Sequence, residues 1–126
     1  MPHFGRASKD RRDQCHPKLQ RVLDEAIKHY DLSCIWGYRD RETQNGMFEN
    51  GQSLLMFPDS KHNRKPSRAF DVIPYPEGFA ASDATFYLQA TYIYRAANTC
   101  GVRIVWGGHW TKLKDLAHFE LDNKEV

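Results

Sequence analysis

The chain has 126 residues, 40% hydrophobic and 27% charged, enough for one domain with a real core and too few for two. No run approaches the roughly 18 consecutive apolar residues of a membrane span. A net charge of +2 with a pI near 8.5 suits an anionic polymer such as a cell wall better than nucleic acid, which calls for a stronger basic excess. The first residues lack an apolar signal core, so secretion by the usual route is not expected. Cys15, Cys34 and Cys100 are odd in number and widely spaced, as in a protein made in a reducing compartment. Cys34 and Cys100 sit in apolar patterns and read as small core residues.

Residues 1–14 are polar and charged and read as an arm that packs, if at all, through Phe4. A helix is expected from His16 and Pro17, with Leu19, Val22, Leu23, Ala26, Ile27 and Tyr30 recurring at the spacing of one buried face. Ser33 to Arg39 reads as a strand in which Gly37 permits a bend or a close backbone approach. Arg41 to Asn50 reads as a short helix closed by Gly51. From Gln52 to Arg68 there is no periodicity, and a loop that long in a small domain is usually functional or disordered. Ala69 to Ile73 reads as a strand. Ser82 can cap a helix whose stripe is Phe86, Ala90, Ile93, Ala97 and Cys100, stopped by Gly101. Val102 to Trp106 and Ala117 to Leu121 are short strands around a loop at Gly107–Trp110. This order predicts a small α+β domain over 1–126, a mostly antiparallel sheet flanked by helices.

The stretch Ser60–Pro74 draws attention on chemical grounds. In a strand Phe70 and Val72 face one way while Ala69, Asp71 and Ile73 face the other, which puts a carboxylate in an apolar row. A buried carboxylate needs a cation, a metal or several donors. Nine residues earlier lies His62, and a second acid-and-histidine cluster, Asp115, His118 and Glu120, runs into the last strand. Two histidines and an aspartate with an open fourth position make the catalytic zinc pattern. Two plainer readings remain open from the residues alone. A histidine near a strand is usually structural, and Asp71 can simply pair with Arg68 or Arg39.

Several motifs occur in one order: Trp36-Gly37-Tyr38-Arg39 followed by Gln44; Ser60 and His62; Ala69 and Asp71; Gly107, Gly108 and Trp110; then Asp115, His118 and Glu120. Together, over about His16 to Leu121, they resemble the D-alanyl-D-alanine carboxypeptidase (VanY-type) family of zinc peptidases, nearest to the short form used as phage endolysins. The resemblance implies a hedgehog/D-Ala-D-Ala peptidase-like fold and a zinc ion on His62, Asp71 and His118. It makes Asp115 the general base and Arg39 the group that binds the substrate carbonyl or carboxylate. Ser60, His109 and Trp110 become candidate substrate contacts, and Gln44 matches a recurrent position without an assigned role. The sequence departs from the family in three places. Eight residues separate His62 from Asp71, more than is common, with no glycine among them. The catalytic acid is Asp where other branches use Glu. His109 stands where Asp is expected.

The implied substrate is the stem peptide of peptidoglycan, cut at the L-alanyl-D-glutamate bond. The alternatives are a D,D-carboxypeptidase removing terminal D-alanine and a non-catalytic wall-binding module of the same fold. The latter has no need of Asp115. A monomer is expected, with no nucleic-acid partner and no membrane insertion. Without a signal peptide, access to the wall would depend on a separate membrane-permeabilising protein.

Overall fold

The computed structural model describes residues 2–126; Met1 of the expected N-terminal arm lies outside them. The arm is not extended. Arg6–Asp13 forms a helix, α1, followed by α2 (Pro17–Ile27), β1 (Leu32–Trp36), α3 (Arg41–Glu49), β2 (Ala69–Pro74), α4 (Asp83–Cys100), β3 (Ile104–Trp106) and β4 (His118–Leu121). The strands form one sheet in the order β1-β2-β4-β3, and every neighbouring pair is antiparallel. The α+β expectation therefore holds, and most expected elements fall within a residue or two of their observed bounds.

The N-terminal helix escaped the sequence reading because it buries no side chain fully and so carries no apolar stripe. It holds on by hydrogen bonds to an open sheet edge instead. Ser8 Oγ accepts from the Cys34 N–H at 3.1 Å, and an Arg11 guanidinium N–H donates to the Cys34 carbonyl at 3.3 Å. The backbone N–H and carbonyl of Cys34 on edge strand β1 are thereby satisfied, and the covering helix blunts that edge against unwanted strand addition. Gly37, just past β1, permits this close approach: a Cβ there would lie 2.4 Å from the Arg11 carbonyl oxygen.

The hydrophobic core lies on one face of the sheet. Leu19, Val22 and Leu23 of α2 and Ala90, Ile93 and Ala97 of α4 pack with Phe70 and Val72 of β2 and Phe119 and Leu121 of β4. Phe70 and Phe119 are register partners, their ring centroids 5.6 Å apart. Burying each such ring contributes about 1.5–3 kcal/mol. Side chains alternate along strands, so the next pair in the ladder, Asp71 opposite His118, points to the other face. The core thus fixes the register, and the register brings an aspartate and a histidine together.

Helix ends follow local chemistry. His16 accepts from the Lys18 N–H at the start of α2, Asp40 from the Thr43 N–H at the start of α3, and Ser82 from the Thr85 N–H at the start of α4. Gly101 closes α4 at φ +68°, a conformation that costs glycine little.

Candidate active site

The third member of the site comes from the long segment between α3 and β2. Lys61–Asn63 forms a 3-10 turn with a complete capping box: Ser60 accepts from the turn's backbone, and the Asn63 side chain accepts from the Ser60 N–H. The turn holds His62, 1% exposed, over the Asp71–His118 pair. Its Nε2 lies 3.2 Å from Asp71 Oδ1 and 3.2 Å from His118 Nδ1, while His118 Nδ1 lies 3.1 Å from Asp71 Oδ1. The longer His62–Asp71 loop therefore still delivers both side chains to one point.

The remaining polar atoms of these three side chains are each engaged elsewhere. His62 Nδ1 donates to the Gly37 carbonyl at 2.7 Å. His118 Nε2 donates to Glu120 Oε1 at 2.8 Å. Asp71 Oδ2 accepts from Arg39 at 2.6 Å. With those protons placed, His62 Nε2, His118 Nδ1 and Asp71 Oδ1 all present lone pairs to one another. Three buried acceptors at such distances repel unless a cation or extra protons sit among them. The edge of a tetrahedron of zinc–ligand bonds is about 3.3 Å, close to all three separations. The donor set fits a metal ion, and the three buried residues form a group able to hold one.

The charges around the triangle are set by the same contacts. Burial pushes the Asp71 carboxyl up, but His62 and His118 outweigh it and hold it well below the ordinary range. Burial lowers His118, yet the hydrogen bonds to Asp71 and Glu120 dominate and push it up to about 9 without a metal. Burial alone would raise Glu120; His118 and Lys61, whose Nζ is 3.0 Å from Oε2, hold it low and ionised. Asp115 shifts the other way. Burial first, then the negative charge of Asp71, raise its carboxyl above the usual value, making it a better proton acceptor.

Asp115 sits on the turn before β4. Its N–H donates to the Gly107 carbonyl at 3.1 Å, and its Oδ1 accepts from the Ala117 N–H at 3.2 Å. Gly107 is required by packing. A Cβ there would lie 2.5 Å from the Asp115 carbonyl oxygen and 3.1 Å from the Cβ of His118.

Arg39 lies beyond the end of β1, 5% exposed. The alternative pairing of Asp71 with Arg39 is present, and it coexists with the histidines because it uses the other carboxylate oxygen. The guanidinium also rests over Trp36, 5.1 Å from the ring centre. Gln44, fully buried, takes a contact from Arg39 at 3.4 Å and donates to Ser53 Oγ and the Leu55 carbonyl. It ties the arginine to the segment forming one wall of the cleft, a part that its place in the sequence did not disclose.

The triangle opens into a cleft of about 650 Å³. Leu54, Leu55, Trp110 and Leu113 line it, together with Arg39, Ser60 and Asp115. The Trp110 ring lies 4.9 Å from that of His118. His109 is exposed on the rim, against Trp106 and Tyr94 rather than among the three converging side chains. Ser60 lines the cleft, and its hydroxyl oxygen accepts from the His62 N–H.

The residues 2–125 match the family described as phage L-alanyl-D-glutamate peptidase. The chain belongs to this family. It is a peptidoglycan hydrolase, and the family match favours the L-alanyl-D-glutamate bond over the carboxypeptidase alternative. Its fold is similar to the crystal structure of the Serratia marcescens L-Ala D-Glu endopeptidase ChiX, with a TM-score of 0.81 and 30% identity over 96% of this chain and 91% of that one. No curated protein sequence matches the chain. Among the described residues of the peptidase, no helix is long and apolar enough to cross a membrane.

Proposed function

We propose that the protein is a monomeric, single-domain zinc endopeptidase that cuts the L-alanyl-D-glutamate bond of peptidoglycan stem peptides. His62 Nε2, Asp71 Oδ1 and His118 Nδ1 are its metal ligands and Asp115 its general base. The observation that carries this reading is the triangle of three lone-pair atoms at 3.1–3.2 Å, each on a side chain anchored through its other polar atom. Such anchoring is what metal-ligating residues need to stay oriented.

Zinc, when bound there, supplies Lewis acidity that polarises the scissile carbonyl and acidifies water. The chain's own groups do the rest. Asp115 Oδ1 is occupied by the Ala117 N–H, which leaves Oδ2 to take a proton from the attacking water and deliver it to the leaving amine nitrogen. A positioned general base contributes ~10²- to 10⁴-fold in rate. Arg39 acts first through Asp71, fixing the ligand's orientation. As a cation in the cleft wall it also favours the negative charge that develops on the substrate oxygen. Leu54, Leu55, Trp110 and Leu113 present apolar walls that exclude water from the bound peptide. In this reading the enzyme reaches the wall after another protein has opened the membrane.

The test is zinc-dependent digestion of purified peptidoglycan followed by mass spectrometry. New N-terminal D-glutamyl ends support the reading; release of free D-alanine instead, or no cleavage by zinc-loaded protein, rejects it.

A further inference from the structure

A second groove, of about 590 Å³, lies on the outer side of α4 and meets the catalytic cleft at His109, which lines both. Its floor is aromatic. The Trp106 ring lies 5.8 Å from Tyr87 in an edge-on arrangement and 5.1 Å from His109, and His109 stacks against Tyr94 at 6.2 Å. Tyr87 is 51% exposed, and Thr91 and Asn98 are exposed further along the helix. The positions 87, 91, 94 and 98 recur at the four-three-four spacing of one helix face. Trp106 and Tyr94 also pack against Phe119 of the core, whereas Tyr87, Thr91 and Asn98 turn to solvent.

Resting on the peptidase reading, we infer that this groove binds the glycan strand of peptidoglycan, an N-acetylated amino-sugar, while the attached stem peptide occupies the catalytic cleft. Substrate chemistry supports this occupant. The scissile bond follows the first amino acid of the stem, and that alanine is joined to the sugar by a short lactyl group. The sugar ring therefore lies only about two residue lengths, ~7 Å, from the reacting carbonyl. A glycan must rest on surface adjoining the cleft, and this groove adjoins it at His109. Pyranose rings present an apolar C–H face and a hydroxylated edge. Tyr87 and His109 offer flat rings for the first, and Thr91 and Asn98 offer hydrogen bonds for the second.

The test compares Tyr87→Ala and Asn98→Ala with the parent enzyme on two substrates, a sugar-free stem peptide and the same peptide on its disaccharide. The expected result is an unchanged KM for the free peptide and a KM raised about tenfold for the glycosylated one. Equal effects on both substrates, or none on either, would overturn the inference. Titration of the zinc-loaded protein with peptide-free glycan strands, followed at the Trp106 indole N–H by NMR, is independent of cleavage. A saturable shift abolished by Tyr87→Ala supports the groove as the glycan site, and no shift rejects it. Parent enzyme that binds the strands but cuts neither substrate would instead sink the peptidase reading alone.

Discussion

His118 and Glu120 share one face of β4, and the His118 Nε2–H donates to Glu120 Oε1 at 2.8 Å. This bond decides which imidazole nitrogen is left for a metal. Glu120 is itself held by Lys61, whose ammonium also reaches the Leu121 carbonyl. The ligand-bearing strand and the His62 turn are thus joined by the outer layer of the site as well as by its centre.

Glu120→Gln should keep the fold but weaken zinc binding, because an amide accepts less strongly and no longer offsets charge at the site. Outer partners of metal-bound histidines typically matter by ~10- to 100-fold in affinity. Competition with a chromophoric chelator measures it, and an unchanged dissociation constant would remove Glu120 from the metal's support.

Asp115→Ala should retain zinc and melting behaviour while cleavage falls by ~10²- to 10⁴-fold. Removing a carboxylate raised by burial and by Asp71 relieves local repulsion, which offsets the lost bond from the Ala117 N–H, so stability should change little. Wall-lysis rates equal to the parent's would reject Asp115 as the base.

Gly107→Ala probes the same turn from behind. The new methyl would meet the Asp115 carbonyl oxygen at 2.5 Å, so the turn must move, displacing Asp115 relative to His118. We expect a greater loss of kcat than of zinc affinity. Full activity with unaltered kinetics would mean that the turn's placement does not matter to catalysis.

The pH dependence follows from His118. Without metal its pKa is raised from 6.5 to about 9. A raised folded-state value means that the proton's contribution to stability is fully present below about 6.5 and is lost as pH climbs through about 9. Metal binding needs the neutral ring, so it must expel that proton. Apparent zinc affinity should fall up to tenfold for each pH unit below about 9. The metal-free protein should lose thermal stability from pH 6.5 to 9 while zinc adds progressively more. Melting curves with and without chelator test this, and a zinc-induced shift independent of pH would contradict it.

Much of this was legible in the sequence, for identifiable reasons. The stripes of α2 and α4 and the alternation around Asp71 are periodic signals that packing obeys. His62, Asp71 and His118 could be nominated because a carboxylate in an apolar strand demands an explanation. Glu120 carried an unused signal: two residues beyond His118 on a strand, it had to share that side chain's face. The arm's helical state was not legible, since α1 is held by Ser8 and Arg11 on backbone atoms of Cys34. Nor was the double engagement of Asp71, because spacing cannot say that Arg39 takes one oxygen and the histidines the other. Gln44 and Gly107 act through three-dimensional contacts that neighbouring residues do not announce.

The most direct test of the central claim is anomalous diffraction at the zinc edge from crystals grown with one equivalent of zinc. The prediction is a single strong peak about 2.0–2.2 Å from His62 Nε2, His118 Nδ1 and Asp71 Oδ1, absent from His62→Ala and His118→Ala crystals. A zinc peak elsewhere, or no peak while the three side chains keep their places, would contradict the account.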